Sequence, residues 1–191
     1  MSFLGLTVSE FAPLQIGVLC GACMVAAATD IASRRIPNWL TIPLLATGVA
    51  YSTMHRGPWG LLDSIAAALI LALPYLFLFV YARGGGGDVK LMAAVGAWTG
   101  VVPGLVVLFM VALAGVAMGI VVALTRGQFQ TTMRHVADIA QQAAPAVAMG
   151  KPQLIGATIT GDRKPSAPMP YGVAIFVGVC AAVGGLSLWH G

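Results

Sequence analysis

Residues 103–125 read PGLVVLFMVALAGVAMGIVVALT, 23 residues without a charged side chain. A helix needs about 20 apolar residues to cross the hydrocarbon core of a bilayer, so this stretch is long enough to span a membrane. Of the 191 residues in the chain, 59% are hydrophobic and 8% are charged, whereas soluble domains carry about 25% charged residues. So few charges cannot cover a water-facing surface. The sequence therefore predicts an all-α polytopic membrane protein, with a single transmembrane bundle over residues 1–191.

Five further apolar runs bring the predicted number of transmembrane helices to about six. They cover residues 11–29, 39–54, 61–82, 89–102 and 171–189. Pro74 interrupts the third helix, which a membrane bundle tolerates because neighbouring helices satisfy the backbone groups that proline leaves unpaired.

The basic residues predict the orientation of these helices. With the N-terminus outside, nine of the ten Lys and Arg residues fall on the cytoplasmic side and only Arg56 falls outside. Cytoplasmic loops of membrane proteins carry such an excess of basic residues. We therefore expect both termini in the periplasm and the apolar runs in the lipid bilayer. The charges lie singly or in pairs between apolar runs, so the net charge of +4 does not indicate nucleic-acid binding.

The one long polar segment is 126–169, which the topology places in the cytoplasm. Apolar residues recur at helical spacing around Met133, Val136 and Ile139, typical of an amphipathic helix on the membrane surface. A solvated loop fits the same pattern equally well.

The three cysteines all lie within apolar runs, so we interpret them as packing residues. Cys20 and Cys23 have the spacing of half a zinc or redox site, but no second Cys/His pair completes four ligands. No metal and no cofactor are expected.

Two of the six acidic residues come to the same membrane boundary in this topology. Asp30 follows the first apolar run and Asp88 precedes the fourth, both on the cytoplasmic side. An ionisable residue at membrane depth is costly and indicates a functional site. Two neighbouring carboxylates share a proton, so that one activates a water while the other polarises a peptide carbonyl. Asp63 opens the third run, where we expect it to complement the dipole of its own helix.

A glycine run directly precedes Asp88 and comprises Gly84, Gly85, Gly86 and Gly87. Its backbone is able to approach a substrate strand closely or to adopt positive φ. The alternative is a flexible turn between two helices.

A second segment follows Asp30 and leads into the second apolar run. Pro37 and Asn38 give that run a rigid start, because proline is tolerated at the first helical position. Arg34 and Arg35 serve either as topology signals only or to hold the Asp30 end of the first helix near the headgroups.

Together these residues resemble the type IV prepilin peptidase family. The resemblance rests on Asp30 six residues before Ile36-Pro37-Asn38, and on Gly85-Gly86-Gly87-Asp88-Val-Lys90-Leu in a later helix. The segment 168–172, Pro-Met-Pro-Tyr-Gly, is similar to a late proline-containing segment of the family. The Gly-x-Gly-Asp pattern is shared with archaeal preflagellin peptidases and presenilin-type proteases.

The resemblance implies an intramembrane aspartic endopeptidase that removes the leader of prepilins or pseudopilins at the cytoplasmic face of the inner membrane. Asp30 and Asp88 correspond to the catalytic pair. The transmembrane helix and leader of the pilin would be the partner. Residues implied to bind substrate or support the site are Gly85, Gly86, Gly87, Lys90, Arg34, Arg35, Pro37 and Asn38.

The chain departs from the long members of that family in one respect. Those members carry a cytoplasmic insertion with paired Cys-x-x-Cys zinc ligands and also methylate the new N-terminus. Nothing cytoplasmic precedes Asp30 here, so we expect no zinc and assign no methylation. The short form is similar to peptidases of tight-adherence (Flp) pilus systems, which makes a small Flp-type pilin the expected substrate.

Other classes of membrane protein fit less well. A metalloprotease needs His-Glu-x-x-His and a rhomboid-type protease needs Gly-x-Ser-x-Gly, and neither pattern is present. A proton-coupled transporter would use the two aspartates as a relay near the bilayer midplane, which gives the glycine run no role. A non-catalytic scaffold of a secretion assembly is the remaining alternative.

Overall fold

The computed structural model describes residues 13–82, 85–125 and 171–188, and every regular element in those ranges is an α-helix. In chain order these are α1 (Pro13–Ser33), α2 (Asn38–Ala82), α3 (Gly86–Thr99), α4 (Val101–Thr125) and α5 (Tyr171–Leu188). The surface helix or loop predicted at 126–169 lies outside the described residues.

Three of the described helices are long and apolar enough to cross a membrane. Their apolar spans are Leu14–Ser33, Asn38–Val80 and Val101–Val122, with mean hydropathies of 1.7, 2.1 and 2.9. Large apolar side chains on these helices remain exposed, among them Met24, Leu69 and Val116. Such a surface suits contact with lipid rather than water. For the residues that the structure describes, the prediction of an all-α fold with helices able to span a membrane is confirmed.

Helix α2 is bent sharply at Gly57. Its 45 residues would extend about 68 Å as a straight helix, more than twice the hydrocarbon core of a bilayer. Gly57 breaks the helix with φ 62° and ψ −148°, and Pro58 follows directly. The two limbs fold back against each other at the bend. Gly60 there lies so close to the Ser52 carbonyl oxygen that a Cβ would collide with it. These limbs, 38–56 and 58–82, contain the two separate apolar runs predicted from the sequence.

Helix α3 packs between the two limbs of α2. Ser52 on one limb and Ser64 on the other each donate a hydrogen bond of 3.0 Å to the Ala97 carbonyl. Trp98 donates from Nε1 to the Leu44 carbonyl at 2.8 Å. Residues 94–99 of α3 are all buried, so this 14-residue helix forms the centre of this part of the bundle.

A polar cluster lies at the bend and joins α2 to the start of α4. Asp63 pairs with Arg56 at 2.9 Å across the Gly57 break and accepts a hydrogen bond of 3.2 Å from the first N–H of α4, at Val101. The chain enters α4 through Gly100, which has φ 78°. The sequence predicts that Asp63 complements the dipole of its own helix; the structure shows that its carboxylate caps the start of α4.

The remaining helices contact the α2–α3 pair less extensively than they contact each other, although all five helices share one hydrophobic core. Helix α5 contacts α1 and α4 extensively, while α1 touches α2 and α3 only sparsely. Gly178 lets α5 approach the backbone of α4 at Val111. The Sγ atoms of Cys20 and Cys180 lie 3.6 Å apart between α1 and α5, and both thiols are free. The end of α1 and the starts of α2, α3 and α5 thus meet at one end of the bundle, opposite Gly57.

Candidate active site

Asp30 lies in the last turn of α1. The helix continues to Ser33, one turn beyond the end expected from the apolar run, and the Asp30 carbonyl accepts the N–H of Arg34 at 2.9 Å. Only 9% of Asp30 is exposed, although the residues that follow it are open to solvent. The backbone at this helix end thus carries Asp30 on the inner side of α1.

Asp88 lies in the first turn of α3 and is partly buried. Gly85 occupies the N-cap position with extended backbone, φ −75° and ψ 124°, and its carbonyl accepts the Asp88 N–H at 3.2 Å. The third helical position is where a carboxylate is favoured by the unpaired N–H groups of a helix start. Helix α3 begins within the glycine run, because Gly86 and Gly87 are already helical.

Close approach, rather than positive φ, explains Gly85 and Gly87 in the glycine run. None of Gly85, Gly86 and Gly87 has positive φ, so that part of the expectation is wrong for them. A Cβ at Gly87 would lie 2.8 Å from the Cβ of Ile36, a distance that real Cβ atoms do not show. A Cβ at Gly85 would lie 3.1 Å from Oδ2 of Asp88, whereas one at Gly86 would make ordinary contact with Phe79. Gly84 lies outside the described residues.

One cavity brings the two aspartates together. It measures about 200 Å³ and is lined by Asp30, Arg34, Arg35, Ile36, Gly85, Gly86, Gly87 and Asp88. The carboxylates are close enough to interact electrostatically. Since a water molecule fills about 30 Å³, the cavity has room for water and a peptide carbonyl. Two carboxylates sharing a small cavity are able to share a proton and act as acid and base.

The two arginines form a cationic rim on this cavity. Arg34 has φ 53° and terminates α1 in the left-handed conformation, which is uncommon for residues other than glycine. Both arginine side chains are exposed. Within the described ranges, neither guanidinium is ion-paired with Asp30 or Asp88. The neighbouring arginines therefore form no salt bridge with the carboxylate of either aspartate.

Three other predicted residues lie beside this cavity rather than in it. Lys90 donates a hydrogen bond of 2.9 Å to Oδ1 of Asn38, which ties the start of α2 to α3. The Pro37 carbonyl accepts the N–H groups of Leu40 and Thr41 and so begins α2. Pro37 and Asn38 line a neighbouring cavity of about 440 Å³, together with Thr29, Ser33, Arg35, Ile36 and Trp39. Arg35 and Ile36 belong to both cavities.

Gly172 is a site residue to which the sequence analysis assigned no role. Its backbone N–H donates a hydrogen bond of 2.8 Å to Oδ2 of Asp30, 142 positions earlier in the chain. The signal available in the sequence was a glycine two residues after Pro170, at the start of an apolar run. The first N–H groups of a helix have no hydrogen-bond acceptor within the helix, so the Gly172 N–H is available to an acceptor from another segment.

Comparison with known proteins bears on this geometry. The family model described as the type IV leader peptidase family matches residues 17–120, a stretch that includes both Asp30 and Asp88. The chain belongs to the type IV leader peptidase family. Prepilin leader peptidase/N-methyltransferases of two strains of Burkholderia pseudomallei are each 39% identical over 114 residues, covering 54% of this chain and 35% of the relative.

The chain is also similar to a third curated protein, with a slightly lower identity. A prepilin peptidase of Methanothermobacter thermautotrophicus is 37% identical over 87 residues, covering 43% of this chain and 22% of that protein. The chain thus spans about a third or less of the length of these curated relatives. No solved structure matches the chain.

Proposed function

We propose that this chain is an intramembrane aspartic endopeptidase that removes the leader peptide of prepilins, with Asp30 and Asp88 as its catalytic pair. The observation that carries the proposal is the shared cavity, in which two carboxylates from different helices meet beside a glycine backbone. Membership of the type IV leader peptidase family and the names of the relatives support prepilins as the substrate class.

The geometry supports hydrolysis by a proton-sharing pair. One aspartate is ionised and takes a proton from a water molecule while the water oxygen attacks the scissile carbonyl carbon. The other aspartate is protonated and gives its proton to the carbonyl oxygen. The resulting gem-diol collapses when the first aspartic acid protonates the amide nitrogen and the second takes back the hydroxyl proton. The C–N bond breaks, giving a carboxylic acid and an amine, and the pair regains its shared proton.

The glycines at the start of α3 support binding of an extended peptide next to Asp88. Gly85 is exposed, and Gly86 presents no side chain to the cavity that both aspartates line. A peptide backbone is thus able to come close to the carboxylates at this edge. Helix α3 covers about 21 Å at 1.5 Å per residue, less than the hydrocarbon core of about 30 Å. We place the start of α3 below the membrane surface, in a hydrated recess that irregular backbone is allowed to line.

The distribution of charge supports a cytoplasmic location for this recess. Arg34, Arg35 and Lys90 surround the site end, whereas Arg56 lies at the opposite end. By the positive-inside rule, this distribution supports our proposal of a site at the cytoplasmic face of the inner membrane, with six spans and periplasmic termini. Within this proposal, a small Flp-type pilin or a pseudopilin is the substrate, since the sequence resembles the short form of the peptidases.

The test is cleavage of a prepilin by membranes containing the chain. Wild-type membranes should convert the prepilin to a shortened product, and Asp30→Asn or Asp88→Asn should each abolish that conversion. Asparagine keeps the shape and hydrogen bonding of the carboxylate but is unable to share the proton. Asp63→Asn is the matched control, because it removes a carboxylate at the far end of the bundle. Appreciable cleavage by either cavity variant would disprove the catalytic assignment.

The alternatives give a different result in the same assay. A proton-coupled transporter or a scaffold would leave the prepilin uncut in wild-type membranes. The experiment therefore separates the peptidase from both other classes without further assumptions.

A further inference from the structure

Among the described residues, only one hydrogen bond reaches either carboxylate of the aspartate pair. It runs from the Gly172 N–H, in the first turn of α5, to Oδ2 of Asp30 over 2.8 Å, and it is buried. No described donor reaches the second Asp30 oxygen or the carboxylate of Asp88. The contact therefore distinguishes Asp30 Oδ2 from the other oxygens of the pair.

The contact requires glycine for reasons of space. A Cβ at Gly172 would lie 2.9 Å from the Cβ of Asp30 and 3.0 Å from its Oδ2. The backbone of Gly172 does not have positive φ, so conformational freedom is not the reason for glycine here. Any larger residue would push the Asp30 carboxylate away from the helix start.

We propose that Gly172 is a positioning residue for the peptidase reaction: its N–H holds Oδ2 of Asp30 and leaves Oδ1 as the oxygen that meets water or the scissile carbonyl. The inference rests on the proposed function. It goes beyond the family comparison, because the matched region ends at residue 120 and Gly172 lies outside it.

The position of Asp30 explains why such a contact is needed. Asp30 stands one turn before α1 ends at the left-handed Arg34, and its carboxylate has no second described hydrogen-bond donor. A carboxylate that turns about its χ angles moves its oxygens by more than 1 Å. A misplacement of that size is enough to cost about 100-fold in rate. Helix α5, held against α1 and α4, supplies a fixed donor.

The decisive variant is Gly172→Ala, measured by prepilin cleavage with purified protein. We expect kcat to fall at least tenfold while KM stays within twofold, because the substitution moves a reacting group and leaves the peptide-binding glycines intact. The melting temperature should fall as well, because the new Cβ would lie 2.9 Å from the Cβ of Asp30, so kcat is expressed per folded molecule.

Two glycine variants serve as matched controls. Gly178→Ala, on the same helix, would force a Cβ into the backbone of Val111, so it should lower the melting temperature and the yield of folded protein. Its kcat per folded molecule should stay near wild type. Gly21→Ala, on the helix that carries Asp30, meets nothing within 4 Å and should behave like wild type in every measurement.

The outcomes separate this inference from the proposed function. Wild-type protein that leaves prepilin uncut overturns both. Wild-type protein that cuts, combined with a Gly172→Ala variant of wild-type kcat, overturns only the role of Gly172. A Gly172→Ala variant that loses activity only in proportion to its folded fraction, as expected for Gly178→Ala, overturns that role as well.

Discussion

The side chain of Ile36 packs directly against the backbone of Gly87, where a Cβ would lie 2.8 Å from the Ile36 Cβ and 3.3 Å from its backbone nitrogen. Ile36 is buried in the segment between α1 and α2, and Gly87 immediately precedes Asp88. The contact therefore fixes where the first turn of α3 lies relative to the chain that follows Asp30.

We predict that Gly87→Ala lowers both stability and activity. The added methyl group has to displace Ile36 and the backbone around it, and overpacking of this kind typically costs about 1–3 kcal/mol. Thermal unfolding in detergent measures the first effect, and prepilin cleavage per folded molecule should fall at least tenfold. Gly86→Ala should not lower the melting temperature, because its Cβ makes ordinary contact with Phe79. An unchanged melting temperature for Gly87→Ala would show that Ile36 yields easily.

Thiol labelling tests the recess at the start of α3. In a background without the native cysteines, Gly86→Cys should react with small maleimides added from the cytoplasmic side and poorly with bulky ones. Gly87→Cys is unsuitable because its side chain would collide with Ile36. Equal reaction with reagents of both sizes would indicate an exposed surface loop instead of a recess.

Asp63 should matter for stability but not for cleavage. Its carboxylate accepts the first N–H of α4 and pairs with Arg56, so Asp63→Ala should destabilise the protein by about 1 kcal/mol, the typical cost of losing a helix-start acceptor. Asp63→Asn keeps the acceptor oxygen and should be milder. Both variants should cut prepilin at nearly the wild-type rate per folded molecule. A specific loss of kcat in Asp63→Asn would point to a third working carboxylate.

Neither metal chelation nor thiol blocking should remove activity. The proposed mechanism activates water with carboxylates, and the cysteines pack within the bundle, with Cys23 fully buried. The Cys20→Ala, Cys23→Ala double variant should cut prepilin, and wild-type protein should do so in the presence of EDTA. Loss of activity on chelation, reversed by added metal, would contradict the metal-free mechanism.

The sequence predicts the aspartate pair and the bend of α2, because a charged residue at membrane depth and a helix break each need particular residue types. The motifs around Asp30 and Asp88 predicted two carboxylates at one end of the bundle, and the structure brings them to one cavity. The gap between the second and third apolar runs contains Gly57 and Pro58, where α2 bends. A backbone break and a costly charge both leave a local signal.

Contacts between distant segments left no such signal. The Gly172 N–H and Asp30 are 142 positions apart, and nothing local to either one indicates the other. Likewise, we placed the boundary between α3 and α4 at Val102–Pro103, whereas the chain turns at Gly100. Apolar residues flank both points, so hydropathy is uninformative there, and the positive φ of Gly100 depends on how α4 meets Asp63.

Contacts within the α2–α3 group and within the α1–α5–α4 group are more extensive than contacts between the groups. The aspartate pair is thus divided between two units of the bundle, which share one hydrophobic core. Asp88 belongs to the first unit and Asp30 to the second, so the distance between the carboxylates depends on how the two units lie against each other. A helical substrate that enters between them would separate the pair before it reacts. Spin labels at the exposed residues Ile31 and Val80, in Asp30→Asn protein, should move apart when an uncleaved prepilin binds. An unchanged distance would mean that the substrate reaches the cavity from outside the bundle.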